Sequence, residues 1–151
     1  MKHYIIDGNN LIGKDKSLNQ IQKRNKQQSR EKLAFLISRY FSSRKAAVSL
    51  HFDGFENERI NVTGIKIKYS EKSSADDKIK KEIERSNNPK NIILVTSDSN
   101  LAEFGKVCSC QVLKSEEFIR LLNSSPSGNE EQMRIDTLKD NDEFKKLFGV
   151  K

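Results

Sequence analysis

The run Ile92-Ile93-Leu94-Val95 is wholly apolar, and the polar string Thr96-Ser97-Asp98-Ser99-Asn100 closes it at once. Such a strand has no polar face, so it belongs inside a sheet covered on both sides. The chain opens on a shorter version of the pattern, Tyr4-Ile5-Ile6 followed by Asp7-Gly8-Asn9-Asn10, and Ala46 to Phe52 ends in Asp53-Gly54. Sheets buried on both faces are parallel sheets, and parallel strands need long, usually helical, crossovers. The chain must therefore alternate strands with helices.

The segments between these runs supply the helices. Leu33, Leu36, Ile37, Tyr40 and Phe41 fall at helical spacing from about Ser29 onward. Ser73 or Ser74 caps a helix reaching about Arg85, where Asn87-Asn88-Pro89 ends it. A short helix is expected from Ser99 to Phe104, and Ser115-Glu116-Glu117 opens another with Phe118, Ile119 and Leu122 on its apolar side. Ile65 to Tyr69 alternates as a half-exposed strand, and Cys110 to Leu113 reads as a brief one. Lys14 to Gln28 lacks an apolar period and reads as a mobile loop running into a helix. The expected fold is an α/β domain with a mainly parallel sheet. Residues 1–123 form it, and residues 124–151 are a linker and a short amphipathic tail around Leu138, Phe144, Leu147 and Phe148.

At 151 residues the chain suits one core rather than two. Its formal net charge of +7 favours an anionic partner. The excess is local, since Lys14, Lys16, Lys23, Arg24, Lys26, Arg30 and Lys32 face only Asp15 and Glu31 in that stretch. No segment is apolar for long enough to span a membrane, and the N-terminus lacks a secretory pattern. Cys108-Ser109-Cys110 is poorly spaced for a disulfide, and His3 and His51 are poor partners for a zinc site, so buried thiols in a reducing cytoplasm are expected.

In an open parallel sheet, ligands bind beyond the carboxyl ends of the strands, where strand order reverses. Asp7, Asp53 and Asp98 each follow a strand, so the topology gathers them at one edge. Asp76 joins them from the first turn of its helix. Ile79 and Ile83 lie about 60° and 20° from it around the axis, which turns Asp76 inward and Asp77 toward solvent. Each acid also has an ordinary structural reading. Asp7-Gly8-Asn9-Asn10 can be a turn, with Gly8 permitting unusual backbone, and Asp53-Gly54 another. Asp98 can cap the next helix, and Asp76 can close a capping box with Ser73. Three carboxylates in a dry crevice need a counter-charge, for which Mg²⁺ or Mn²⁺ is the usual answer.

Ile5-Ile6-Asp7-Gly8-Asn9-Asn10-Leu11-Ile12, Phe52-Asp53-Gly54, Ser74-Ala75-Asp76-Asp77-Lys78-Ile79 and Val95-Thr96-Ser97-Asp98 resemble, in order and spacing, the motifs of the NYN/YacP-like branch of PIN-like ribonucleases. The resemblance spans roughly residues 1 to 122. It implies a PIN-like three-layer α/β/α sandwich, a Mg²⁺ or Mn²⁺ site, and endonucleolytic cleavage of RNA. By position it makes Asp7, Asp76 and Asp98 the catalytic, metal-binding acids. Asn10 becomes a ligand or orienting amide, and Asp53 and Asp77 secondary metal candidates. Lys14, Lys16, Lys23, Arg24, Lys26 and Arg30 are the expected RNA contacts, and a ribosome or ribonucleoprotein is a candidate partner for presenting the RNA. The tail after Asn123 and the Lys/Gln-rich insertion depart from the family pattern. A non-catalytic RNA-binding adaptor is the competing function. A haloacid-type phosphatase fits less well, because Asn9 stands where its second acid belongs.

Overall fold

The computed structural model describes residues 1–124. Met1–Arg120 forms one compact unit. In chain order the elements are β1 (Lys2–Asp7), α1 (Gly8–Lys14), α2 (Lys16–Arg24), α3 (Lys26–Phe41), β2 (Ala46–Phe52), β3 (Lys66–Tyr69), α4 (Ala75–Arg85), β4 (Ile92–Val95), α5 (Ser99–Val107), β5 (Gln111–Leu113) and α6 (Ser115–Ser124). The expected linker meets the last turn of α6 at its start; its remainder and the amphipathic tail lie outside the described residues.

The five strands form one sheet in the order β3-β2-β1-β4-β5. Every neighbouring pair is parallel. From β1 the chain builds outward on one side through β2 and β3, then returns to the other side of β1 with β4. The order therefore reverses between β1 and β4, which places the crevice beside the ends of the two strongest apolar runs. In register, Ile6 stands opposite Val95, so Asp7 and Thr96 leave the sheet side by side.

Alternation along β1 shows why the sheet is covered twice. Ile5 packs on one face with Ile79 and Ile83 of α4, Leu101 of α5, and Ile92 and Leu94 of β4. Tyr4 turns to the other face, where its ring lies 4.8 Å from Phe41 of α3 and 6.3 Å from Phe118 of α6, centroid to centroid. Successive strand residues point to opposite faces, so one helix pair covers each side. The result is the expected three-layer α/β/α sandwich.

The polar stretch after β1 departs from its expectation. Lys14 to Gln28 is helical except at two joints, and each joint carries a cap. Asp15 accepts a hydrogen bond from Leu18 N–H at 2.8 Å, and Asn25 accepts one from Gln28 N–H at 3.0 Å. Lys and Gln are good helix formers, and Leu18 supplies the buried anchor of α2. Apolar periodicity is faint here because α2 is short and buries only Leu18, and the buried face of α3 begins only at Ser29.

Gly8 also differs from expectation. It is the first residue of α1, capped by Asp7, and not a turn residue of unusual backbone. A Cβ at that point would stand 2.6 Å from the His51 carbonyl and 2.7 Å from the Phe52 ring. Close approach of α1 to the end of β2 demands the glycine. Among the described residues no helix is long and apolar enough to cross a membrane.

Candidate active site

Asp7 ends β1 and caps α1, so its carboxylate sits at the carboxyl edge of the sheet. Thr96, fully buried at the end of β4, donates its hydroxyl to Asp7 Oδ2 at 3.0 Å. The same Thr96 oxygen accepts from Asp98 N–H at 3.1 Å. One hydroxyl therefore ties the first acid to the turn that carries the last. Asp98 heads α5, but its side chain makes no capping bond, which removes the simplest structural reason for an acid there.

Burial pushes the Asp7 carboxyl up to about 6 against the hydrogen bonds from Thr96 and Asn10, and the negative charges of Asp53 and Asp98 add to the shift. Desolvation and like charge both disfavour the ionised form. Asp7, Asp53 and Asp98 are thus an electrostatic group.

The two amides of the opening motif act as staples. Asn9 Oδ1 accepts from Asp53 N–H at 2.7 Å, fixing the end of β2 against α1. Asn10 Oδ1 accepts from Ser97 N–H at 2.9 Å and from the Ser115 hydroxyl at 2.8 Å. A carbonyl oxygen has two lone pairs, and both are used. Asn10 Oδ1 thereby joins α1 to the turn after β4 and the start of α6. Ser97 extends this network, donating to Glu116 Oε1 and accepting from Ser115 N–H.

Asp53 Oδ1 accepts from Ala75 N–H at 2.7 Å, so it holds the first turn of α4 and with it Asp76. The helix cap proper is Ser74, which accepts from Asp77 N–H at 3.1 Å. Asp76 is half-buried and Asp77 exposed, in the sense that the helical spacing requires. Asp76 Oδ2 pairs with Lys80 at 3.2 Å, while its Oδ1 is buried without a hydrogen-bond partner. An orphaned carboxylate oxygen is costly unless something cationic faces it.

That orphaned oxygen and the strained ionisation of Asp7 suit a hard divalent cation. Among the described residues no three His, Cys, Asp or Glu side chains are spaced to close around an ion. A site of only one or two carboxylates would be one for an ion that keeps much of its water, as Mg²⁺ does.

Of the expected RNA contacts, Lys14, Lys16, Lys23, Arg24 and Lys26 are exposed. Arg30 is not. It is 3% exposed, its guanidinium donates to the carbonyls of Asp53 (2.7 Å) and Phe55 (3.0 Å), and it lies 5.3 and 5.2 Å from the ring centroids of Phe52 and Tyr69. On the inner face of α3, it serves the loop beside the acids instead of the surface.

Sequence reasoning missed Thr96, Asn9 and Glu116, and a second polar group altogether. Glu82 of α4 accepts from the Ser49 hydroxyl and lies within hydrogen-bonding distance of His51, both at 2.7 Å, with His3 at 3.1 Å and Lys68 at 3.4 Å. Burial would raise the Glu82 carboxyl, but the His51 and Ser49 hydrogen bonds, with the Lys68 and His51 charges, hold it at about 2. His3 and His51 look isolated in sequence because their shared partner is more than thirty residues away. Period-two patterning on β2 could have aligned Ser49 with His51; nothing local points to Glu82.

A parallel α/β/α sandwich with acids at the carboxyl edge of β1, β2 and β4 is the architecture of the PIN-like nuclease fold. The sequence profile of the YacP-like NYN domain matches residues 4–148, and the chain belongs to that family. The crystal structure of Rae1 (YacP) from Bacillus subtilis is similar to this chain at 21% identity and a TM-score of 0.71, over 98% of this chain and 88% of that one. A single-residue mutant of the same protein matches at 20% identity and 0.71, over 93% and 83%. At such identities the likeness is one of fold. No curated protein matches the sequence.

Proposed function

We propose that this protein is a metal-dependent endoribonuclease, hydrolysing RNA phosphodiester bonds at the edge where β1 and β4 part. One observation carries the reading: Asp7 is buried against Thr96 with Asp53 and Asp98 acting on its charge, at the topological switch point of the sheet. Asp7, Asp76 and Asp98 are the catalytic acids and would hold Mg²⁺ or Mn²⁺ in part through its retained water, with Asp53 and Asp77 in support. Bound there, the ion supplies an activated water and neutralises charge developing on the phosphate. Thr96 holds the Asp7 carboxylate in one orientation, and Asp53 holds the turn bearing Asp76. Lys14, Lys16, Lys23, Arg24 and Lys26 attract the RNA backbone. Lys16 and Lys23, seven residues apart on α2, project within about 20° of each other and away from buried Leu18. The nuclease domain is residues 1–123. The protein acts in the cytoplasm, and a ribosome or ribonucleoprotein presents the RNA.

The test is cleavage of RNA by the purified chain in Mg²⁺ or Mn²⁺. Asp7→Asn and Asp98→Asn should each lower the rate by about 10²- to 10³-fold with the fold retained, the scale of several kcal/mol of lost charge stabilisation. Undiminished activity in both variants would falsify the reading.

A second reading is an RNA-binding adaptor that does not cleave. It is favoured by the lack, among the described residues, of three side chains spaced around an ion. Saturable Mn²⁺ binding near neutral pH, lost in Asp7→Asn, decides for the nuclease.

A further inference from the structure

Phe55 is 58% exposed and stands two residues after Asp53. Two residues of chain span about 7 Å at most, so its Cα cannot be far from that acid. An exposed aromatic on a loose loop is unremarkable. The main chain that carries this one is held by hydrogen bonds. Asp53 N–H is held by Asn9 Oδ1 (2.7 Å), and the Asp53 carbonyl by Arg30 Nη2 (2.7 Å). Gly54, at φ +88°, donates N–H to the Ser70 hydroxyl (2.9 Å) and accepts from Glu71 N–H (2.8 Å). The Phe55 carbonyl takes the other Arg30 nitrogen, Nη1, at 3.0 Å. Five main-chain groups over three residues are fixed, all by residues distant in sequence, and the ring is left in water.

Arg30 completes the mounting. A buried guanidinium is expensive unless its protons are satisfied. Here Nη1 and Nη2 serve the carbonyls on either side of Gly54, Nε is buried without a hydrogen-bond partner, and the guanidinium carbon lies near the Phe52 and Tyr69 rings. Phe52 is buried and Tyr69 half-buried; Phe55 is the exposed aromatic of the three. Phe35 is equally exposed, but it stands within α3 with none of the site acids near it in sequence.

We infer that Phe55 is a stacking platform for one unpaired nucleobase of the RNA, holding the nucleotide beside the scissile phosphate. This rests on the nuclease reading for its substrate. Every base has a π-face, so a single ring binds without regard to sequence but requires a base free of its partner strand. The site therefore takes single-stranded RNA or a loop, with the lysines on the backbone and the ring on a base. With its main chain already held, the segment has less freedom left to lose on binding.

The chain contains no tryptophan, so Phe55→Trp installs a sole indole at the platform. The full-length variant would be titrated with a 2′-O-methyl oligouridine and with the same sequence in a duplex, in Mg²⁺ and in EDTA. Wild type and Phe55→Ala would be compared for affinity to the oligonucleotide and for cleavage of unmodified RNA. The expected result is saturable quenching by the single strand and none by the duplex. Phe55→Ala should bind about 5- to 100-fold more weakly, the range that loss of one stacked base produces. Its urea midpoint and salt dependence should not change, because the substitution removes neither a charge nor a buried side chain. Bound RNA that leaves the indole fluorescence unmoved, or equal affinity of Phe55→Ala and wild type, overturns the platform while wild-type cleavage keeps the nuclease reading. Quenching by a protein that does not cleave supports the ring as a base-stacking site but sinks the nuclease and, with it, the place beside a scissile phosphate. Wild type that neither binds nor cleaves RNA removes both.

Discussion

Thr96 and Asp7 are 89 residues apart in sequence and 3.0 Å apart in space, hydroxyl to carboxylate. The pairing follows from parallel register: Ile6 faces Val95, so the residues after them meet as the strands end. Because Thr96 also accepts from Asp98 N–H, the position of one hydroxyl sets two acids. Thr96→Val removes a donor to Asp7 and an acceptor for Asp98 without changing shape. It should destabilise the fold by about 1–3 kcal/mol, the usual cost of an unpaired buried group. It should also move the Asp7 titration above its present value of about 6, since the hydroxyl favours the ionised form. Thr96→Ser should restore both, read by urea unfolding at several pH values.

Stability in the absence of metal should vary with pH in two windows. The folded Asp7 carboxyl lies above its ordinary value of 3.8, at about 6, so its favourable contribution is complete below pH 4 and is lost as pH rises through 6. Ionising it should cost on the order of 2–3 kcal/mol by pH 7–8. Glu82 behaves oppositely: held at about 2 against an ordinary 4.5, it stabilises above pH 4.5 and loses that contribution as pH falls toward 2. Unfolding free energy should therefore peak near pH 4–5. Asp7→Asn should flatten the alkaline limb and Glu82→Gln the acid limb. Unchanged limbs in these variants would dismiss the assignment.

Divalent cation should reverse the alkaline loss. Where Mg²⁺ or Mn²⁺ binds the ionised acids, millimolar metal should raise the unfolding midpoint at pH 7–8 and leave it unchanged at pH 4, because ligand binding to the folded state stabilises by mass action. The same addition to Asp7→Asn should do markedly less.

Gly8→Ala tests the approach of α1 to β2. Alanine is about 1 kcal/mol better than glycine inside a helix, yet here its Cβ would meet the His51 carbonyl at 2.6 Å. Backbone cannot step aside as a flexible side chain would. The substitution should destabilise by about 1–3 kcal/mol and displace the Asp7 cap, measurable as a lowered urea midpoint with reduced RNA cleavage.

Arg30 and the surface lysines should separate in salt. Lys16→Ala with Lys23→Ala should weaken RNA binding and shallow the dependence of log affinity on log salt by about one for each phosphate no longer held. Arg30→Ala should leave that slope unchanged and lower stability by about 2–4 kcal/mol, by unpairing two carbonyls and removing packed surface. A shallower slope in Arg30→Ala would return Arg30 to the RNA surface.

Local pattern was enough for the parallel α/β architecture, the placement of Asp7, Asp53 and Asp98 at strand ends, and the inward turn of Asp76 relative to Asp77. Strand runs with no polar face can only be buried, and side-chain periodicity along a helix is fixed by its geometry. Tertiary structure alone decided the rest. Arg30 reads as one of several surface cations until Asp53 and Phe55 offer it their carbonyls. The polar stretch after β1 reads as loop because α2 buries only Leu18, its joints are closed by caps at Asp15 and Asn25, and the buried face of α3 begins only at Ser29. Gly8 reads as a turn until β2 crowds it. His3, Ser49 and His51 form one network only where Glu82 arrives from α4. Periodicity encodes which face a residue takes; a polar side chain's partner is chosen by whatever the fold brings within 3 Å, and hydrogen bonds of that reach leave no periodic trace in the chain.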